Sequence, residues 1–102
     1  MTLEKRDLNK VCFKKEAEVL RALGHPVRLK ILYGLLSGDC NVKNMQECID
    51  IPQATLSQHL TILKNVGVIE GMRDGNQVFY TITSSFVSEL MKLLIKEVNN
   101  EK

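Results

Sequence analysis

Most features that mark an enzyme, a secreted protein or a membrane protein are missing from this sequence. No apolar run approaches the ~18 residues that a membrane span needs. The segment Met1 to Lys10 is polar and lacks the apolar core of a signal peptide, so the cytoplasm is the expected compartment. His25 and His59 are the only histidines. There is no carboxylate pair placed for acid–base work, no Gly-rich phosphate loop and no nucleophile elbow, and an enzyme is not expected. Cysteine is scarce and odd in number: Cys12, Cys40 and Cys48. In a chain that is not secreted, that argues for free thiols rather than structural disulfides. Neither sign of charge dominates, with 14 basic and 12 acidic residues. A net charge of +2 permits nucleic-acid binding but argues for it only where the cations cluster. Internal repeats, linkers and low-complexity segments are absent, so residues 1–102 are expected to form a single domain.

What is present is an ordinary globular composition, 44% hydrophobic and 25% charged. A domain of this size buries a modest core, and dimerisation would add useful burial. The chain is organised around residues 52–64, Pro-Gln-Ala-Thr-Leu-Ser-Gln-His-Leu-Thr-Ile-Leu-Lys. At about 100° per residue, the step of an α-helix, Leu56, Leu60 and Leu63 fall on one narrow stripe. Ala54, Thr55, Ser57, Gln58 and Thr61 fall on the other side. A helix facing only water usually carries more Lys and Glu than this. Short amides and hydroxyls are the groups that hydrogen-bond base edges and phosphates in a major groove. On these residues alone an ordinary amphipathic core helix is slightly the better reading, and the flanking segments reverse that in favour of a DNA reader.

In chain order, residues 1–23 read as a helix striped by Leu8, Val11, Cys12, Val19, Leu20 and Leu23. Gly24 suits its end and Pro26 suits the start of the next helix, which runs to about Ser37. Ser37-Gly38-Asp39 is a turn. A short helix follows at about 42–49, with Val42, Met45 and Ile49 as its apolar residues. Asp50-Ile51-Pro52 links it tightly to the central helix, and two short helices joined in this way form a helix-turn-helix. Val68 to Arg73 and Gln77 to Ile82 read as strands around an Asp74-Gly75-Asn76 turn. A hairpin directly after a helix-turn-helix is a wing. Thr83, Ser84 and Ser85 are candidate N-caps for a last helix. Its stripe of Phe86, Val87, Leu90, Met91, Leu94 and Val98, widened by Leu93 and Ile95, is too broad for one contact surface. The second surface fits another copy of the chain. The expected fold is thus mainly α with a small β-hairpin, a dimeric winged helix-turn-helix.

This order of elements resembles the ArsR/SmtB family of bacterial winged-helix repressors. Leu23-Gly24-His25-Pro26-Val27-Arg28-Leu29-Lys30-Ile31-Leu32 is similar to the start of that family's second helix. Gln53 to Leu63 resembles its recognition helix, with the Ser-x-His-Leu core intact. Gly67-Val68-Ile69 and Arg73 to Tyr80 resemble its wing. The resemblance spans about residues 20–82. It implies a homodimer built on the first and last helices, and double-stranded operator DNA as partner, bound as an imperfect palindrome and released by an inducer. There are departures. Pro52 stands where relatives commonly have a capping Ser. The family's Cys-x-Cys metal motif is not reproduced around Cys40. The last helix has no His or Cys for a zinc site. Tyr33 replaces a Cys found in persulfide sensors.

Gln53 and Gln58 are the expected base readers, because an amide pairs bidentately with adenine. Thr55 and Ser57 are expected on phosphate, and Arg73 and Gln77 at the wing tip on phosphate or the minor groove. His59 on the same helix is included among the DNA-binding candidates, although at the edge of the apolar stripe a structural hydrogen bond suits it better. Cys12, Cys40 and Cys48 are candidates for a thiolate-bound metal or metalloid, or for redox sensing, against small apolar packing as the alternative. Cys40 and Cys48 are ~12 Å apart if helical throughout, too far for one ion. Cys40, just after the turn, is the expected accessible thiol. No histidine-based zinc site is expected. Two other readings stay open: a winged helix used only for protein–protein contact, and a DNA-binding regulator with no cysteine-based sensing.

Overall fold

The computed structural model describes residues 5–38 and 40–101, and the side chains from residue 8 onward except those of residues 40 and 41. Met1 to Glu4, which the sequence reading placed in the first helix, lie outside it. The rest of that expected helix is divided. Lys5–Lys10 form a 3-10 helix. Residues 11–13 are not helical, and α1 spans Lys14–Leu23. The stripe is divided as well. Of its members Val19 and Leu23 are buried, joined by Ala22, while Leu8, Cys12 and Leu20 are exposed, as is the neighbouring Phe13. Apolar spacing alone did not distinguish residues that pack within the protomer from residues left on its surface.

Helix α2 spans Pro26–Leu36, with Pro26 at its first position, where the missing N–H costs nothing. The His25 side chain caps it, accepting from the Val27 N–H at 3.1 Å through Nδ1. Helix α3 spans Val42–Cys48 and α4 spans Gln53–Asn65. The turn between them is held by the Gln46 side-chain amide, which donates to the Ile51 carbonyl. Helix α4 ends as a left-handed glycine dictates. Gly67 has φ +80°, its N–H donates to the Lys64 carbonyl, and the Val68 N–H donates to that of Leu63.

Strands β2 (Ile69–Asp74) and β3 (Gln77–Ile82) form the wing, in register from Ile69 opposite Ile82 to Asp74 opposite Gln77. Gly75 has φ +66° and Asn76 has negative φ, the type II′ pattern that suits strand twist. A third strand, β1 (Cys40–Asn41), was not expected. It pairs antiparallel with β3, giving the order β1-β3-β2. Two residues carry no alternating pattern, so nothing local announced it. Because β1 runs straight into α3, it fastens the helix-turn-helix to the wing.

Helix α5 spans Ser85–Asn100 and is capped by Ser84, whose Oγ accepts from the Val87 N–H at 3.1 Å. The core lies where α2, α4, α5 and the base of the wing meet. Its largest fully buried side chains are Ile31, Leu32, Leu56, Leu63, Val68 and Val87. Helix α5 uses only part of its apolar surface there. Val87 and Met91 are buried, but Phe86, Leu93 and Val98 are each at least half exposed. An open apolar cleft of about 360 Å³ between α2 and α5, walled by Leu29, Tyr33, Leu94 and Val98, continues that face. The radius of gyration is 15.8 Å, against about 13 Å for a compact chain of this length. The accessible surface is 7661 Å², against about 5,800 Å² for a compact monomer of this mass. No described helix is long and apolar enough to cross a membrane.

Candidate nucleic-acid interface

The polar face of α4 is set by what its other face buries. Leu56, Leu60 and Leu63 are at most 3% exposed. With that stripe inward, Gln53, Ser57 and Gln58 are exposed and Thr55 and His59 are half-buried. Pro52 precedes the helix in an extended conformation with no side-chain cap. The first N–H groups of α4 therefore keep the positive end of the helix dipole without a carboxylate or hydroxyl on it.

Gln53 and Ser57, four residues apart, share a groove of about 510 Å³ with Gln77 of the wing. Its other walls include Lys43 and Glu47 of α3 and Asn76 and Tyr80 of the wing. Three residues that the sequence reading singled out separately are thus brought together. Lys43 and Asn76 were not singled out. Lys43 was legible as an outward position on a helix whose Val42, Met45 and Ile49 point inward. Gln58 lies on the neighbouring outer patch with Ser57, Thr61 and Ile62. There the Thr61 hydroxyl donates to the Ser57 carbonyl at 2.9 Å. Arg73 is exposed on β2 opposite Val78 and does not line the groove. Within the wing, Gly71 lies opposite Tyr80, whose ring packs over it. A Cβ on Gly71 would come within 3.0 Å of the Tyr80 ring.

His59 is not aimed outward with Ser57 and Gln58. Its Nδ1 accepts from Arg28 Nε at 3.2 Å, and its ring lies 4.5 Å from that of His25. The same Arg28 donates from its guanidinium to the Ala22 carbonyl at 2.9 Å. Partial burial, then His25, then the Arg28 charge hold the His59 imidazole below its ordinary value of 6.5.

The thiols do not assemble. Cys12 and Cys48 are both free and exposed. Within the protomer, neither of these two packs into the core. Cys12 falls in the non-helical link before α1, and Cys48 ends a helix too short to draw its end inward. The backbone of Cys40 is in β1, and its side chain lies outside the described residues. Among the described residues there is no cluster of three His, Cys, Asp or Glu that could hold a metal.

A helix-turn-helix with a polar second helix, a wing at its side and a groove between them defines a winged-helix DNA-binding transcriptional regulator. The family model described as "Bacterial regulatory protein, arsR family" matches residues 25–70. The chain is 37% identical to the biofilm growth-associated repressor of Xylella fastidiosa over 78 residues, which cover 76% of this chain and 68% of that protein. HlyU from Vibrio cholerae superposes with a TM-score of 0.79 at 30% identity, covering 92% of this chain and 96% of that one. The homodimeric winged helix-turn-helix domain of Mb0332 from Mycobacterium bovis superposes with a TM-score of 0.77 at 26% identity, covering 97% of this chain and 90% of that one. The chain belongs to the ArsR/SmtB family of DNA-binding transcriptional repressors. Its relatives are regulators rather than enzymes, and the family sets DNA above protein–protein contact as the use of the winged helix.

Proposed function

We propose that this regulator works in the cytoplasm as a symmetric homodimer. It binds an imperfect palindrome in operator DNA and is released by an inducer. The observation that carries this reading is the exposed, uncharged polar face of α4 beside the wing, with Lys43 and Arg73 as flanking cations. A two-fold dimer places its recognition helices about one DNA turn apart, so half-sites are spaced by ~10 base pairs or a small multiple. Gln53 and Gln58 read bases. Ser57 and Thr55 hold phosphate beside the uncapped helix start, and Arg73 and Gln77 follow the backbone from the wing. The test is a titration against DNA upstream of the chain's own gene and against random DNA, at two salt concentrations. Equal affinity for both DNAs would remove the sequence-specific reading.

Ser57→Ala is expected to weaken every sequence to a similar degree. Gln58→Ala is expected to relax one base position at a cost of ~1–3 kcal/mol. Binding curves on a panel of single-base operator variants separate the two patterns. Unchanged affinity in both variants would remove α4 as the reader.

Dimerisation uses α1, the residue before it and α5, where Phe13, Leu20, Phe86, Leu93 and Val98 are exposed. For the inducer, the exposed Cys12 and Cys48 are the groups open to thiophilic metals, metalloids, oxidants and sulfur donors. Arsenite, cadmium, peroxide or a persulfide donor is expected to release wild-type protein from its operator. The Cys12→Ser, Cys40→Ser and Cys48→Ser variants then identify the thiol. If none of the four agents releases the wild type, the regulator has no cysteine-based sensing.

A further inference from the structure

The polar cluster behind the recognition helix is built from three elements. Arg28, near the start of α2, reaches in two directions. Its guanidinium donates to the Ala22 carbonyl near the end of α1, at 2.9 Å, and its Nε donates to His59 Nδ1 in the middle of α4, at 3.2 Å. His25, at the α1–α2 junction, caps α2 through Nδ1 and lies 4.5 Å ring to ring from His59. One guanidinium thus joins α1 and α4 across α2, and the joint closes only while His59 Nδ1 is an acceptor. An imidazolium has no acceptor. It would turn a second donor and a second positive charge toward Arg28.

We infer that His59 is a positioning residue whose neutral ring, held by Arg28, sets the recognition helix against α1 and α2, and whose protonation loosens that helix and weakens operator binding. The inference rests on the DNA-binding reading of α4 and adds to it an internal latch and a pH dependence. Among the described residues, His25 and Arg28 are the titratable or charged groups that act on His59. Both disfavour its charged form, as does its partial burial. The linkage has a definite sign. Well above pH 6.5 His59 is neutral in both folded and unfolded chains and contributes no pH dependence. As the pH falls through 6.5 the unfolded chain takes the proton first, so stability falls with it, until the lower folded value is passed.

The sign also separates the latch from direct contact. A histidine touching phosphate binds a polyanion more tightly when protonated. The latch requires acid to weaken binding. The experiment measures operator affinity of wild type, His59→Gln and His59→Leu between about pH 7.5 and about pH 5.5, across the ordinary histidine range. Glutamine keeps a neutral acceptor that does not titrate, and leucine has none. Wild type is expected to bind a few-fold more weakly at the acid end, a decline limited by how far the depressed His59 titration has run there. His59→Gln is expected to keep the neutral-pH affinity without the acid decline. His59→Leu is expected to be weak throughout. The same samples are followed by histidine ring proton NMR and by hydrogen exchange of the α4 amides, with no DNA present. The latch predicts that α4 exchange quickens as the His59 ring titrates, and does so in wild type only. A wild type with no affinity for operator at neutral pH defeats the DNA-binding reading, and the exchange data still judge the latch. Equal acid decline in wild type and His59→Gln, full affinity in His59→Leu, or α4 exchange indifferent to the His59 titration overturns it.

Discussion

Leu93→Asp is expected to leave the protomer folded and to abolish the dimer. Leu93 is 64% exposed and lies on the same face of α5 as the exposed Phe86, two turns earlier. A carboxylate at that position costs the isolated protomer little, because it stays in water. In a dimer packed on α5 the same carboxylate is buried without a partner, a loss of several kcal/mol. Sedimentation at micromolar concentration should show the wild type as a dimer and the variant as a species of half the mass. Operator affinity should fall about a hundredfold or more, because the second half-site contact ceases to be intramolecular. The wild-type melting temperature should rise with protein concentration and that of the variant should not. A variant that sediments with the wild type would remove α5 from the interface.

The second large effect is on stability. Leu56 is fully buried and anchors α4 from its first turn, directly beneath the polar face. Leu56→Ala removes apolar burial and leaves a cavity, at a cost of about 2–5 kcal/mol. A small domain has only about 5–15 kcal/mol in total, so the melting temperature should drop by roughly ten degrees or more. Thr61→Ala, one turn beyond on the exposed face, is the control. Its only described hydrogen bond is to the Ser57 carbonyl, and its effect should stay within about 0.5 kcal/mol. Urea unfolding of both variants checks the contrast. A Leu56→Ala chain as stable as Thr61→Ala would mean that the leucine stripe is not what holds the reader in place.

These two residues also show what was readable in advance. The Leu56-Leu60-Leu63 stripe declared its burial because a helix has one period, and a helix placed at the surface of a small core can satisfy that stripe in one way. Pro26, Gly67, Gly75 and Ser84 acted through their own backbone or side-chain chemistry, so the element boundaries they control fell close to expectation. The β3 bounds, Gln77 to Ile82, matched throughout. The groove wall was only partly readable. Gln53, Ser57 and Gln77 could be named, but their convergence depends on how α4 and the wing are set against one another.

By itself, then, the sequence determined the helix-turn-helix, the wing, the polar face of α4 and the surplus apolar surface of α5, because each rests on local period, capping or turn geometry. The tertiary structure alone decided four other things. It broke the first helix at residues 11–13 and turned Leu8, Phe13 and Leu20 outward. It paired the two-residue β1 with β3. It left Cys12 and Cys48 at the surface. It brought Arg28 to His59, 31 residues away in the chain. All four depend on which distant segments come into contact, and no local pattern encodes that.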